Sequence, residues 1–223
     1  PAVVDDSYAL RFNPAGLGFA EGSELRLLYT RDGLDPGPGE PGSSNGFGLY
    51  SSTQVFPGFA LGGSLDVQVD GNEQTQFGAA LGAGWSAGPL AFGLSWIHDD
   101  AQGQDAKNRV DTGLTLRGRY LGAALAIQDV AQTAGRRRWD RGLAIHPWER
   151  LTLAARWRLE QDLGLNADNL DLLGLVSAEP LDGVVLGVGV GHDPVREVSA
   201  IAQLELTFGR VGMGAAVNGL GDN

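Results

Sequence analysis

The chain has 223 residues, with 35 Gly, 10 Pro, no Cys, one Met and a single lysine, Lys107, and its formal net charge is −11 at pH 7. That length holds one large domain or two small ones. Abundant glycine without a G-X-Y period excludes a collagen-like chain, and it disfavours a helical bundle because each interior helical glycine costs about 1 kcal/mol relative to alanine. The acidic balance argues against a nucleic-acid partner, and the lack of cysteine excludes disulfides and thiol chemistry.

Pro1 in place of an initiating Met reads as a processed or trimmed chain, as removal of a secretory signal would leave it. No run reaches the roughly eighteen apolar residues of a membrane helix. Instead, apolar residues recur at every second position. Phe59, Leu61, Leu65, Val67 and Val69 alternate with Ala60, Gly62, Ser64, Asp66 and Gln68. Phe77, Leu81 and Trp85 alternate with Gly78, Ala80 and Gly84, and Leu90, Phe92, Leu94 and Trp96 continue the pattern. This period predicts thirteen strands, at 23–31, 46–55, 58–69, 75–86, 90–98, 109–119, 121–129, 138–147, 150–159, 169–178, 183–192, 197–208 and 210–218. Many are as long as the roughly 9–11 residues that a tilted strand needs to cross a membrane.

The connections sort into two sets. Short ones include Pro57-Gly58, Ala87-Gly88-Pro89 and Arg119-Tyr120, and longer polar ones include Asp32 to Asn45, Asp99 to Asn108 and Gln161 to Asp168. Short turns at one end and longer loops at the other are the habit of outer-membrane barrels. The two faces also differ. One carries Leu, Val, Phe and Trp, and the other carries small residues plus Glu24, Arg26, Asp66, Arg109, Asp111, Arg117, Arg156, Arg158 and Glu205. About eight strands already enclose an interior that side chains can fill. In a barrel of thirteen or fourteen the apolar face is therefore expected to meet lipid, with Trp85, Trp96, Trp139 and Trp157 near strand ends as interfacial anchors. The expected class is all-β: an antiparallel transmembrane β-barrel of about fourteen strands, in the range twelve to fourteen. It spans residues 23–223 and follows a plug-like segment, residues 1–22.

That segment contains Phe12-Asn13-Pro14-Ala15-Gly16-Leu17 after an acidic start at Asp5-Asp6. Asn-Pro sets a turn, and Ala-Gly-Leu-Gly lets backbone approach backbone. The motif resembles the start of mature proteins in the superfamily of FadL-type long-chain fatty-acid transporters and PorV-type outer-membrane proteins, and all six positions match. The stretch Gly142 to Leu153, with its Pro147 turn, is similar to hairpins of that family. The resemblance implies a fourteen-stranded barrel with its N-terminal segment in the lumen, in the outer membrane of a Gram-negative bacterium. For one branch it implies transport of hydrophobic compounds. The chain departs from the family in its length, which leaves little room for long extracellular loops, and in ending at Gly219-Leu220-Gly221-Asp222-Asn223 rather than on an aromatic residue. By alternation the thirteenth strand ends on the loop side, so a fourteenth is expected to follow. The same start is also similar to a barrel-like region preceding the protease domain in some SppA-like relatives.

Four other features invite chemical readings. Gly84-Trp85-Ser86-Ala87-Gly88 spells the G-x-S-x-G of serine hydrolases, but that motif needs a helix after its turn, and here Pro89 and another strand follow. His98, His146 and His192 lack metal-ligand spacing, and two fall at loop-side strand ends with the third beside a turn. Asp66, Asp70, Asn72 and Glu73 miss the spacing of a calcium loop and read as a solvated hairpin. Arg136-Arg137-Arg138 reads as a solvated basic loop that could meet lipopolysaccharide.

No cofactor, metal or catalytic residue is expected. The leading expectation is passage of hydrophobic small molecules, with the lumen arginines Arg26, Arg117, Arg156 and Arg158 available to a carboxylate headgroup or paired internally with Glu24, Asp66, Asp111 and Glu205. The alternative is an anchoring barrel or a module of a larger outer-membrane assembly. Expected partners are membrane lipid, lipopolysaccharide, a hydrophobic ligand and other assembly proteins, and no nucleic acid.

Overall fold

Two-residue periodicity becomes extended backbone throughout. The computed structural model describes residues 7, 9–32, 44–69, 74–102, 105–134, 137–160, 170–193, 197–208 and 211–220. A helical turn, α1 (Ala9–Phe12), and a 3-10 helix (Pro14–Phe19) precede the strands. The strands are β1 (Ser23–Asp32), β2 (Ser44–Phe56), β3 (Phe59–Val69), β4 (Thr75–Ala87), β5 (Leu90–Ala101), β6 (Lys107–Arg117) and β7 (Leu121–Gln128). They continue as β8 (Arg138–Trp148), β9 (Leu151–Glu160), β10 (Leu170–Leu181), β11 (Val184–Asp193), β12 (Glu197–Phe208) and β13 (Val211–Leu220). The sheet order follows the sequence from β1 to β13. Thirteen strands are therefore present among the described residues, each within a few residues of its expected bounds. No helix among the described residues is long and apolar enough to cross a membrane. Residues 33–43, 70–73, 161–169 and 194–196, which carry most of the expected long connections, lie outside the described residues.

Two compact units divide the chain: residues 4–115 with 126–137, and residues 1–3 and 116–125 with 138–223. In the first, β1 to β5 pair antiparallel, with continuous register in β1–β2, β3–β4 and β4–β5, as in the ten pairs from Ser23↔Thr53 to Asp32↔Ser44, and one register shift in β2–β3, between Gln54 and Phe56. The β2–β3 and β4–β5 turns use Gly58 at φ +80 and Gly88 at φ +60, a region where a Cβ would be strained. In the second unit, β8 to β13 form the same kind of meander. Pro147 and Pro180 fall where the register shifts, between Ile145 and Trp148 and between Ala178 and Leu181, so neither removes a ladder hydrogen bond from a strand centre.

Burial distinguishes the two faces. Along β4, Leu81 is 61% exposed and its neighbour Ala80 is 1% exposed. Along β5, Phe92, Leu94 and Trp96 are exposed while Ala91, Ser95 and Ile97 are buried. An apolar face turned outward over a small-residue face reverses the order of a water-soluble sheet protein. One expectation needs correction. β5 runs on to Ala101, so Trp96 stands within the strand rather than near its end, whereas Trp85 does lie two residues from the end of β4. The extension occurs because Asp99 and Ala101 continue to pair with Gly78 and Gln76.

Candidate functional site

The buried core of the first unit is its N-terminal segment. Asn13 terminates α1 and caps the 3-10 helix, its Oδ1 accepting from Ala15 N at 3.3 Å while its own backbone N donates to Ala9 O at 2.9 Å. Pro14 occupies the first helical turn, where its missing N–H costs nothing. The segment is then joined to four strands by side chains that reach its backbone or cap. Ser95 Oγ on β5 donates to Leu10 O at 2.9 Å, Ser86 Oγ on β4 donates to Gly18 O at 2.7 Å, and Asn13 Nδ2 donates to Thr115 Oγ1 on β6 at 2.8 Å. Ser7 N donates to Glu24 Oε2 on β1 at 2.9 Å. Asn13, Ala15 and Leu17 are fully buried, and Pro14 and Gly16 are buried beside them, while Phe12 is 41% exposed. Of the six motif residues, then, five pack on the sheet and Phe12 points away.

The small face exists to receive this segment. A Cβ at Gly93 would collide with the Pro14 carbonyl and Ala15 N, and one at Gly84 would collide with Gly18 N and Leu17. At Gly82 it would come within 2.7 Å of Leu10 Cδ2. Alternate glycines on β4 and β5 thus hold the segment at backbone contact distance.

Beyond the segment lies a charged network. Arg11 donates to Asp66 on β3 at 2.5 Å and to Asp99 on β5 at 3.1 Å. Asp99 also accepts from Arg109 on β6 at 2.7 Å, and Arg109 reaches Asp111 at 3.3 Å. Asp111, 2% exposed, accepts from Asp129 N at 2.8 Å, and the Asp129 carboxylate in turn caps Thr133 N and Ala134 N, both at 2.9 Å. Burial opposes the charge on Arg11, but the two carboxylates outweigh it, so its pKa is raised above the ordinary arginine value and it stays a cation. A cavity of about 360 Å³ opens over Arg11, reaching Gln68, Gln76, Asp105 and Lys107.

The candidate arginines are placed as follows. Arg26 is held by Glu24 Oε1 at 2.7 Å, the same carboxylate that receives Ser7 N. Arg117 is exposed at the end of β6. Arg156 and Arg158 come together on β9. Arg158 places Nε and Nη2 on Asp140 Oδ2 at 3.2 and 2.9 Å, and Arg156 donates to Asp171 at 3.1 and 3.2 Å. Internal pairing holds for Arg26, whose partner Glu24 is one of the expected carboxylates, but differs elsewhere: Asp66 and Asp111 go to Arg11 and Arg109, Asp140 and Asp171 take Arg156 and Arg158, and the side chain of Glu205 lies outside the described residues. On the same face as Arg156, register places Leu173 beside it, with Leu175 one step along beside Ala154 and, across Gly189, Ile201. Leu173, Leu175 and Ile201 are half-buried on a face otherwise built of small residues.

Sequence reading missed Arg11, Asp99, Asp140 and Asp171 as pairing residues, and Leu173 and Leu175 as apolar residues on the small face. A signal for the last was present: Leu170 to Val176 breaks alternation by putting leucines in both phases. Ser86 is no hydrolase nucleophile by its surroundings, since β5 follows its turn and its hydroxyl is committed to Gly18. His98 bonds Asn108 and His146 bonds Thr152, each at 3.0 Å. Asp66 is occupied by Arg11, while residues 70–73 of the calcium-like stretch are outside the described residues. Within the basic triplet, Arg137 donates to Val130 O at 2.7 Å, and Arg136 is not described.

Comparison with solved structures returns porins. The chain superposes on a five-substitution variant of Rh. blastica porin with a TM-score of 0.52 at 12% identity, covering 89% of this chain and 94% of that one. A Rhodopseudomonas blastica porin triple mutant also gives 0.52 at 12%, over 88% and 94%. A chain from work on asymmetric conductivity of engineered proteins gives 0.51 at 12%, over 88% and 95%. No protein-family model and no curated protein matches the sequence. At such low identity the likeness is one of fold, and none of these comparisons shows the FadL- or PorV-type family. The chain has the antiparallel β-barrel fold of porins.

Proposed function

We propose that this chain is a Gram-negative outer-membrane β-barrel that passes small hydrophobic or amphiphilic molecules, with the N-terminal segment as a plug seated in the lumen. One observation carries the reading: an apolar strip of Leu173, Leu175 and Ile201 on the small-residue face, in register with Arg156 and adjacent to Arg158. An acyl chain would lie on the strip, and its carboxylate would exchange into the Arg156–Asp171 and Arg158–Asp140 pairs. No residue is assigned a catalytic role. The test is entry of a fluorescent fatty acid into liposomes carrying the full chain. Leu173→Ser with Leu175→Ser is expected to slow entry about tenfold, because the chain loses apolar contact. Entry no faster than through protein-free liposomes would overturn the reading.

The close seating of residues 9–20 supports a second reading, a barrel that anchors a larger assembly and has no passage. Removal of residues 1–19 then leaves conductance at baseline in planar bilayers. Under the passage reading the same truncation raises it.

A further inference from the structure

The cavity over Arg11 differs in chemistry from the apolar strip. Two of its cations are consumed by the wall itself, Arg11 by Asp66 and Asp99, and Arg109 by Asp99 and Asp111. Lys107, the chain's single lysine, and Asp105 also line it, and neither has an ion-pair partner among the described residues. Asp100 reaches the cavity too, but it stands opposite Phe77 in register and so belongs to the apolar face. Apart from Asp100, the charged lining residues without an ion-pair partner among the described residues are one cation, Lys107, and one anion, Asp105, with the amides of Gln68 and Gln76 beside them.

We propose that this cavity binds a small zwitterion, a free amino acid or short peptide carrying both an ammonium and a carboxylate. A simple cation would meet Lys107, and a simple anion would meet Asp105 and the outer oxygens of Asp66 and Asp99. A zwitterion gives Lys107 and Asp105 each an opposite charge, and the amides supply neutral donors and acceptors to a peptide bond. The volume of about 360 Å³ falls within the range of small-ligand sites. Arg11 belongs to the N-terminal segment and forms the floor, so an occupant would rest on that segment. The site stands whether or not the barrel passes amphiphiles.

The test is isothermal titration of the full chain in nanodiscs with glycylglycine, with N-acetylglycylglycine, whose amine is blocked, and with glycylglycinamide, whose carboxylate is blocked. Glycylglycine is expected to bind about tenfold more tightly than either blocked form, the worth of one charge-assisted contact. In Lys107→Gln the preference over glycylglycinamide disappears, and in Asp105→Asn the preference over N-acetylglycylglycine disappears. Both residues are exposed, so neither change threatens the fold. Equal binding of glycylglycine and either blocked form by the native chain, no binding at all, or preferences unchanged in both variants would overturn the proposal.

Discussion

Ser86 and Gly18 lie 68 positions apart and are joined by a 2.7 Å hydrogen bond from the serine hydroxyl to the glycine carbonyl. The same contact ties the end of β4 to the end of the 3-10 helix, and a Cβ at Gly18 would stand 2.8 Å from the Trp85 carbonyl carbon. Ser86→Ala leaves that carbonyl without its donor. It is expected to destabilise seating of the segment by about 1–2 kcal/mol, read as faster amide exchange at residues 15–20 with β8 to β12 unchanged.

Arg11 is the clasp between β3 and β5. Arg11→Ala leaves Asp66 and Asp99 facing each other without their shared cation, so it should cost more than Asp66→Asn, which keeps a hydrogen-bond partner for Arg11. A loss of about 1–3 kcal/mol is expected, because these groups are only partly shielded from solvent. Proteolytic release of the first twenty or so residues measures it, and release should rise with salt in the native chain but not in the Arg11 variant.

Gly93 tests the steric half of the site. A methyl group there overlaps the Pro14 carbonyl, and backbone on both sides cannot yield cheaply. Gly93→Ala should displace the segment at a cost of about 1–3 kcal/mol or more. Gly174→Ala, whose Cβ would stand 3.9 Å from Val190 O, should be near neutral when the two variants are compared by urea titration.

Leu81 tests orientation. It is 61% exposed at the centre of β4, and arginine there would face hydrocarbon in a membrane barrel at a cost of about 2–4 kcal/mol. Leu81→Arg should lower the yield of folded barrel in lipid vesicles, scored by heat-modifiable gel migration. A tolerated substitution would count against lipid on that face.

Asp140 holds the second unit's charge pair. It is 1% exposed and takes both Nε and Nη2 of Arg158. Asp140→Ala leaves Asp171 alone to balance Arg156 and Arg158 and is expected to cost about 2–4 kcal/mol, because removing one partner of a buried pair leaves charge undercompensated. Replacing Arg158 as well should recover part of it, which a double-mutant cycle would measure.

Alternation is a local property, written into successive residues, so strand number, strand bounds and the two chemically distinct faces were all legible from the 223 residues alone. The Phe12 to Leu17 motif was legible too, since Asn-Pro and the small residues after it announce a tight, closely packed turn. What that turn packs against was not. Leu10 meets Ser95, Asn13 meets Thr115 and Arg11 meets Asp66 and Asp99, pairs between 55 and 102 positions apart whose proximity depends on the register of every strand between them. The partners of Arg156 and Arg158 are not legible for the same reason, whereas Arg26 and Glu24 stand two residues apart on one face of β1. Charges on one face are interchangeable in sequence, and only strand pairing sets Asp140 opposite Arg158 and Asp171 beside it. The abundant glycine has a structural place: Gly82, Gly84 and Gly93 of β4 and β5 are the floor on which the N-terminal segment lies. Alternation makes the two faces distinct and strand number points the apolar one outward, but what covers the small-residue face is set by the fold alone, because burial is a relation between distant segments and not a property of either.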